Sequence, residues 1–194
     1  MAEITTEKAT FAAGCFWGVE KMYVKHFKGK GLLETRVGYI GGKPEIKDPT
    51  YQQVCSGATD HAEAIEIKFA PDQVSYAKLV NFFYSMHDPT QVNRQGPDQG
   101  TQYRSAIFYH TPEQREIAER VTTEVQEEHY QGQKIATQIV EADTFYDAEE
   151  YHQMYLEKNP SGYEVGFSRG KECREREEER GKAVLRFEAL IEAY

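Results

Sequence analysis

Gly14-Cys15-Phe16-Trp17-Gly18 holds the residues of this chain that point most directly to chemistry. Phe16, Val19, Tyr23 and Phe27 are spaced 3, 4 and 4 apart and predict one face of a helix beginning just after Cys15. A short strand over 10–13 leads into it through Gly14. A thiol at that junction meets unpaired N–H groups and the positive end of the helix dipole, which favour a thiolate nucleophile. Phe16 and Trp17 would wall an apolar pocket, and the flanking glycines would let a ligand approach closely. The other reading is a buried cysteine in an aromatic core patch.

Two further clusters could supply acids and hydrogen-bond donors. Tyr51-Gln52-Gln53-Val54-Cys55-Ser56-Gly57, followed by His61-Ala62-Glu63, offers a phenol and a carboxyl. Glu63 alternates with Ala62 and Ala64 at the start of a strand. Pointing inward, its carboxyl would be raised in pKa and act as an acid. On spacing alone, the solvent face of a half-buried strand is favoured. Asp98 to Ser105 brings another carboxylate, the Tyr103 phenol and the Arg104 guanidinium, in a loop whose polarity is by itself a weak signal. His61 and His152 are each a base or ligand, or, as is commoner for a lone histidine, a hydrogen-bonded structural residue. Met22, Met86 and Met154 read as core filler.

These clusters need a scaffold. Strands are expected over 32–40, 62–69, 104–110 and 135–140, and helices after Ser75 and after Thr111-Pro112, both read as N-terminal caps. A helix is expected over 147–158, and a functional loop over 87–102. Nine of the ten residues 171–180 are charged, which predicts a solvated helix. The expected fold is α+β: a single layered domain with a mixed β-sheet, flanking helices and a ferredoxin-like core, plus a charged C-terminal helical extension. Residues 1–163 would form the catalytic domain and 164–194 the C-terminal segment.

Composition narrows the function classes. The chain has 194 residues, enough for one domain with a sizeable core, and a net charge of −9. That charge argues against a general nucleic-acid or anionic-membrane binder. The first 30 residues lack a basic n-region and a long apolar run, so neither signal peptide nor membrane span is expected and the default is cytoplasmic. Cys15, Cys55 and Cys173 are the three cysteines, with no C-x-x-C pair, so neither a disulfide scaffold nor a structural zinc site is expected.

Taken together, the motifs resemble those of the peptide methionine sulfoxide reductase A family. The matching stretches are 14–18, 51–57 with His61-Ala62-Glu63, His87-Asp88-Pro89 with 100–105, and Phe145-Tyr146 through His152 to Asn159-Pro160. They fall in the family's order over roughly residues 8–163. The resemblance implies reduction of methionine S-sulfoxide, free or in proteins, by a thiol mechanism without metal or organic cofactor. By position, Cys15 is the nucleophile and Glu63 the acid. Tyr51 and Tyr103 donate to the sulfoxide oxygen, and Asp98 orders the site from behind. Phe16, Trp17 and Tyr163 hold the substrate methyl group. A second thiol then condenses with the Cys15 sulfenic acid, and thioredoxin reduces the disulfide.

One departure concerns that second thiol. The family commonly places a cysteine one or two residues after the Gly-Tyr that matches Gly162-Tyr163, where this chain has Glu164 and Val165. Cys173 is the downstream cysteine, read either as the resolving thiol or as an idle one on a charged helix, and Cys55 is read as structural. A monomer is expected. The competing functions are a cysteine hydrolase or acyltransferase, with His61 or His152 as base, and a non-enzymatic methionine-binding module.

Overall fold

The computed structural model describes residues 5–159, so Tyr163, Cys173 and the charged stretch 171–180 lie outside the described residues. Strand alternation organises the rest. In β1 (Glu7–Ala13), Ala9, Phe11 and Ala13 face one way, while Ala12 faces the other. The helix α1 (Phe16–Phe27) follows, then β2 (Leu32–Ile40), the short α2 (Tyr51–Cys55) and β3 (Ala62–Phe69). In β3, Ile65, Ile67 and Phe69 share the face of Phe11, and Ala62 and Ala64 share the face of Ala12. A central strand buried on both sides has no solvent face, which is why two-fold alternation misreads Glu63.

The chain continues through α3 (Tyr76–Met86), a hairpin of β4 (Arg94–Gln95) and β5 (Asp98–Gln99), β6 (Ser105–Tyr109), α4 (Pro112–His129), β7 (Gln138–Glu141), β8 (Tyr146–Asp147) and α5 (Tyr155–Lys158). The six-stranded sheet runs β7-β6-β1-β3-β2-β8. Only the β6–β7 pairing is parallel among the described strands, so the sheet is mixed in a single α+β domain. The main core lies under α1, α3 and α4, where Val19, Tyr23 and Phe27 meet Leu79, Val80 and Phe83 and, from α4, Ala118, Val121 and Val125. The expected caps are present. Ser75 accepts from the Lys78 N–H at 3.2 Å, and Thr111 accepts from the Gln114 N–H at 3.2 Å with Pro112 opening α4.

Three expectations change. The 147–158 segment is not one helix but β8, a 3-10 turn at Glu150–His152 and α5. Gln153 explains it: its amide accepts the Val37 N–H at 2.9 Å and donates to the Val37 carbonyl at 2.9 Å, extending the edge of β2 as a strand would. Met154, left-handed at φ 53°, then breaks the run. The 87–102 loop is built around the β4–β5 hairpin and a 3-10 turn at Thr101–Tyr103. Met22 is 40% exposed, so it does not fill the core.

Gly38 marks where this C-terminal segment docks. It pairs with Ala64 on one side and Asp147 on the other, and a Cβ there would collide with the Tyr146 carbonyl and the Phe145 ring. Alanine normally improves a strand glycine; here Gly38→Ala should destabilise by roughly 1–3 kcal/mol through overpacking. Thermal unfolding checks this, and an unchanged or raised midpoint would reject the close docking.

Candidate active site

The β2–β3 register places Tyr39 opposite Glu63. Both lie on the face covered by α1, and Glu63 is 1% exposed. The first turn of α1 sits at this point. Cys15 provides no side-chain cap; instead the Phe16 N–H donates to Glu63 Oε2 at 3.2 Å. A carboxyl from another strand thereby satisfies a helix donor that would otherwise be orphaned. Gly14 makes the junction possible: its φ is +91°, and a Cβ there would stand 2.8 Å from Cβ of Gln95. The β4–β5 hairpin therefore lies against the end of β1, and Asp98 reaches Cys15 through it.

The charge interactions show which groups converge. Glu63 and Asp98 both act on Cys15. Tyr103 feels Glu63, Cys15 and Asp98, and Tyr51 feels Glu63 and Tyr103. Five of the expected residues thus share one site. Arg104 sets its rim by donating to the carbonyls of Asp60 at 3.0 Å, Thr101 at 2.9 Å and Gly41 at 2.8 Å. That ties the end of β2 and the approach to β3 to the turn carrying Tyr103. Phe16 is buried, with Trp17 at 6.4 Å between ring centroids. Trp17 stacks on Tyr155 at 3.9 Å and donates its indole N–H to His152 Nδ1 at 3.0 Å.

Burial dominates the protonation states. It pushes the Glu63 carboxyl up to about 8; the Phe16 N–H opposes this and Asp98 adds to it. It also pushes the Cys15 thiol well above its usual range, aided by Glu63 and Asp98 and opposed by the N–H groups of Trp17 and Gly18. The helix terminus favours the anion, as the sequence suggested, but desolvation, with lesser contributions from Glu63 and Asp98, outweighs it and the thiol keeps its proton. Burial, with charged neighbours, holds Tyr51 and Tyr103 well above the usual phenol range, so both remain donors. Burial raises Asp98 as well.

Other candidates fall elsewhere. His61 is buried beside Tyr146, and His152 accepts the Trp17 indole N–H on Nδ1 while its Nε2 stands 3.8 Å from Glu149, so both ring nitrogens of His152 face groups other than Cys15. Cys55 is exposed, with its thiol hydrogen-bonded to the Tyr51 hydroxyl, so it lies at the rim of the site rather than in the core. Sequence reasoning missed Tyr39 and Glu149. Tyr39 becomes legible only once the β2–β3 register is known, and Glu149 carries no periodic signal at all.

Glu63 ties pH to stability. Its folded-state value is raised, so the stability its proton confers is complete below the ordinary carboxylate range and is lost as pH rises through about 8. Glu63→Gln keeps an acceptor for the Phe16 N–H but has no charge to bury. Between pH 5 and 9 its melting temperature should fall less steeply than that of the unaltered chain. Parallel curves in thermal unfolding would show that Glu63 is not a buried neutral acid.

Comparison with known proteins agrees with the geometry. The sequence profile of the family described as peptide methionine sulfoxide reductase matches residues 7–183. A Schizosaccharomyces pombe protein described as a probable peptide methionine sulfoxide reductase is 55% identical over 156 residues, covering 80% of this chain and 91% of the relative. The crystal structure of Mxr1 from Saccharomyces cerevisiae in reduced form superposes with a TM-score of 0.78 at 42% identity, covering 84% of this chain and 90% of Mxr1. Mxr1 in complex with Trx2 matches at a TM-score of 0.56 and 29% identity, over 79% of this chain and 87% of Mxr1. With its profile match spanning the described domain, its close relatives and its shared fold, the chain belongs to the peptide methionine sulfoxide reductase family.

Proposed function

We propose that this chain reduces methionine S-sulfoxide, free or in proteins, to methionine, with Cys15 as nucleophile and Glu63 as acid. The observation that carries this reading is a buried carboxyl, pushed up to about 8, that meets the N-terminus of α1 next to the thiol. A sulfoxide oxygen gains negative charge as its bond to sulfur breaks, so donors aimed at it stabilise the transition state more than the ground state. Glu63, Tyr51 and Tyr103 are those donors. Asp98 orders the site behind them. Phe16 and Trp17, with Tyr163, take the methyl group and orient the sulfur toward Cys15.

The atoms balance as follows. The Cys15 sulfur attacks the sulfoxide sulfur while Glu63 passes its proton to the oxygen and takes up the proton of the thiol. The hydroxyl then leaves the substrate sulfur and bonds to the Cys15 sulfur as the new sulfur–sulfur bond breaks, so methionine departs with the electron pair of that bond and Cys15 is left as a sulfenic acid. Cys173 then condenses with it, releasing water and forming a disulfide, which the dithiol of thioredoxin reduces. The Mxr1–Trx2 complex supports thioredoxin as reductant. No metal or organic cofactor takes part.

The same reading covers the chain as a whole. The order β6-β1-β3-β2, antiparallel throughout, with α1 and α3 as crossovers, supports a ferredoxin-like core. We read residues 1–163 as the catalytic domain and 164–194 as a charged segment bearing the resolving thiol. We read the protein as a cytoplasmic monomer that binds neither nucleic acid nor membrane. The net charge of −9 speaks against binding to nucleic acid or an anionic membrane. No described helix is long and apolar enough to cross a membrane.

Single-turnover assays on methionine sulfoxide, read by mass spectrometry, test the chemistry. Cys15→Ser should abolish loss of the substrate oxygen while keeping the fold. Glu63→Gln should slow the step roughly 10²–10⁴-fold, the range of acid catalysis. Near-normal turnover by the serine variant would overturn the assignment, and a rate within about threefold of normal for the glutamine variant would remove Glu63 from the acid role.

Recycling has its own test. Cys173→Ser should complete one turnover and cycle with dithiothreitol but lose cycling with thioredoxin. Peptide mapping after one equivalent of sulfoxide should find Cys15 joined to Cys173. A stable sulfenic acid, or a Cys15–Cys55 bridge, would assign the resolving step elsewhere.

A further inference from the structure

Two donors bond to Glu149, and a histidine ring stands beside it. Its Oε1 accepts the backbone N–H of Tyr51 at 3.0 Å. Its Oε2 accepts the Tyr39 hydroxyl at 3.0 Å and stands 3.8 Å from His152 Nε2. The tautomer of His152 follows from its other side. An indole N–H can only donate, so Nδ1, which accepts from Trp17, carries no proton and the neutral ring bears it on Nε2, facing Glu149. His152 is 1% exposed, and its Nε2 has no hydrogen-bond partner among the described residues. The ring packs against Tyr51 at 4.5 Å, Phe16 at 5.2 Å and Trp17 at 5.4 Å between centroids.

We propose that Glu149 is a positioning residue for sulfoxide reduction, one carboxylate that orients Tyr51 through its backbone N–H and Trp17 through His152. The inference rests on the function proposed above. It adds that the oxygen-binding and methyl-binding sides of the Cys15 pocket hang from a single group. Glu149 lies on the segment after β8 and touches no reacting atom. Its effect passes through the first residue of α2 on one side and an imidazole on the other. An ionised carboxylate suits the task because it only accepts. Although burial opposes the charge, the Tyr51 N–H, the residue's own N–H, the Tyr39 hydroxyl and His152 hold it below the usual carboxylate range. A glutamine of the same shape must turn its amide N–H either toward the Tyr51 N–H or toward the Tyr39 hydroxyl and the His152 ring.

Two kinetic constants and one spectrum test the proposal in the full chain. Tyr51 acts on the developing oxyanion and Trp17 on the bound methyl group, so Glu149→Gln should lower kcat and raise KM together. A loss of up to about 10²-fold in kcat/KM is expected from misplaced groups. The loss should shrink when the same change is made in a Tyr51→Phe background, because the two residues act as one unit. Trp17 is the chain's one tryptophan, so intrinsic emission reports this site alone. Glu149→Gln should shift that emission and ease its quenching by acrylamide. A purely structural role would lower the melting temperature and scale activity with the folded fraction, leaving KM and the emission of the folded protein unchanged; that result overturns the proposal. If the glutamine variant does not fold, Glu149→Asp, which keeps the charge one methylene short, decides by the same readouts. Failure of the unaltered chain to reduce sulfoxide would instead sink the proposed function, and the emission shift would still decide whether Glu149 positions Trp17.

Discussion

The site depends on one hydrogen bond, from the Phe16 N–H at the start of α1 to the buried carboxyl of Glu63. It ends a helix and anchors an acid in the same contact. Without it the helix would present an unpaired donor to a dry interior, and the carboxyl would lack a fixed orientation. Everything else on this face of the sheet is arranged around that contact. Gly14 turns the chain so that Cys15 emerges beside it, and the β4–β5 hairpin closes over the turn.

The protonation pattern follows from the same enclosure. A thiol and a carboxyl that share a buried site both keep their protons, since burial penalises each anion and a Glu63 carboxylate would further oppose the Cys15 thiolate. A neutral pair waits for a polar substrate. In the proposed reaction the sulfoxide supplies what the resting site lacks, an electrophilic sulfur for Cys15 and a basic oxygen for Glu63. In that proposal two phenols, kept protonated by burial, meet the oxygen without bringing in another charge.

Precision in such a site must come from the elements behind it. Arg104 holds three carbonyls from three separated segments and so fixes the turn that carries Tyr103. Gln153 pairs with Val37 as a substitute strand and brings residues 145–155 against β2. That docking delivers His152 to Trp17 and Tyr155 to its stacking position. Buried polar networks are worth having only when their geometry is satisfied, and here the polar ties lead back to the walls of the pocket.

Much of this was legible in local pattern. The helix after Cys15, the strands at 32–40 and 62–69 and the caps at Ser75 and Thr111 need only periodicity and backbone donors, which neighbouring residues determine. Cys15 at a strand–helix junction was likewise visible, and ordered motifs linked it to Glu63, Tyr51, Tyr103 and Asp98. What sequence could not decide was burial and register. Glu63 reads as solvent-facing until β3 is seen to be central, with α1 above it. Cys15 reads as a thiolate until the desolvation of the assembled site outweighs the helix terminus. The 147–158 segment reads as a helix until the open edge of β2 captures Gln153. Tyr39 and Glu149 have no local signal, because their roles arise from a strand pairing and from contacts between residues about a hundred positions apart. Local propensity specifies elements; the dielectric and the partners that set a side chain's chemistry exist only once those elements pack.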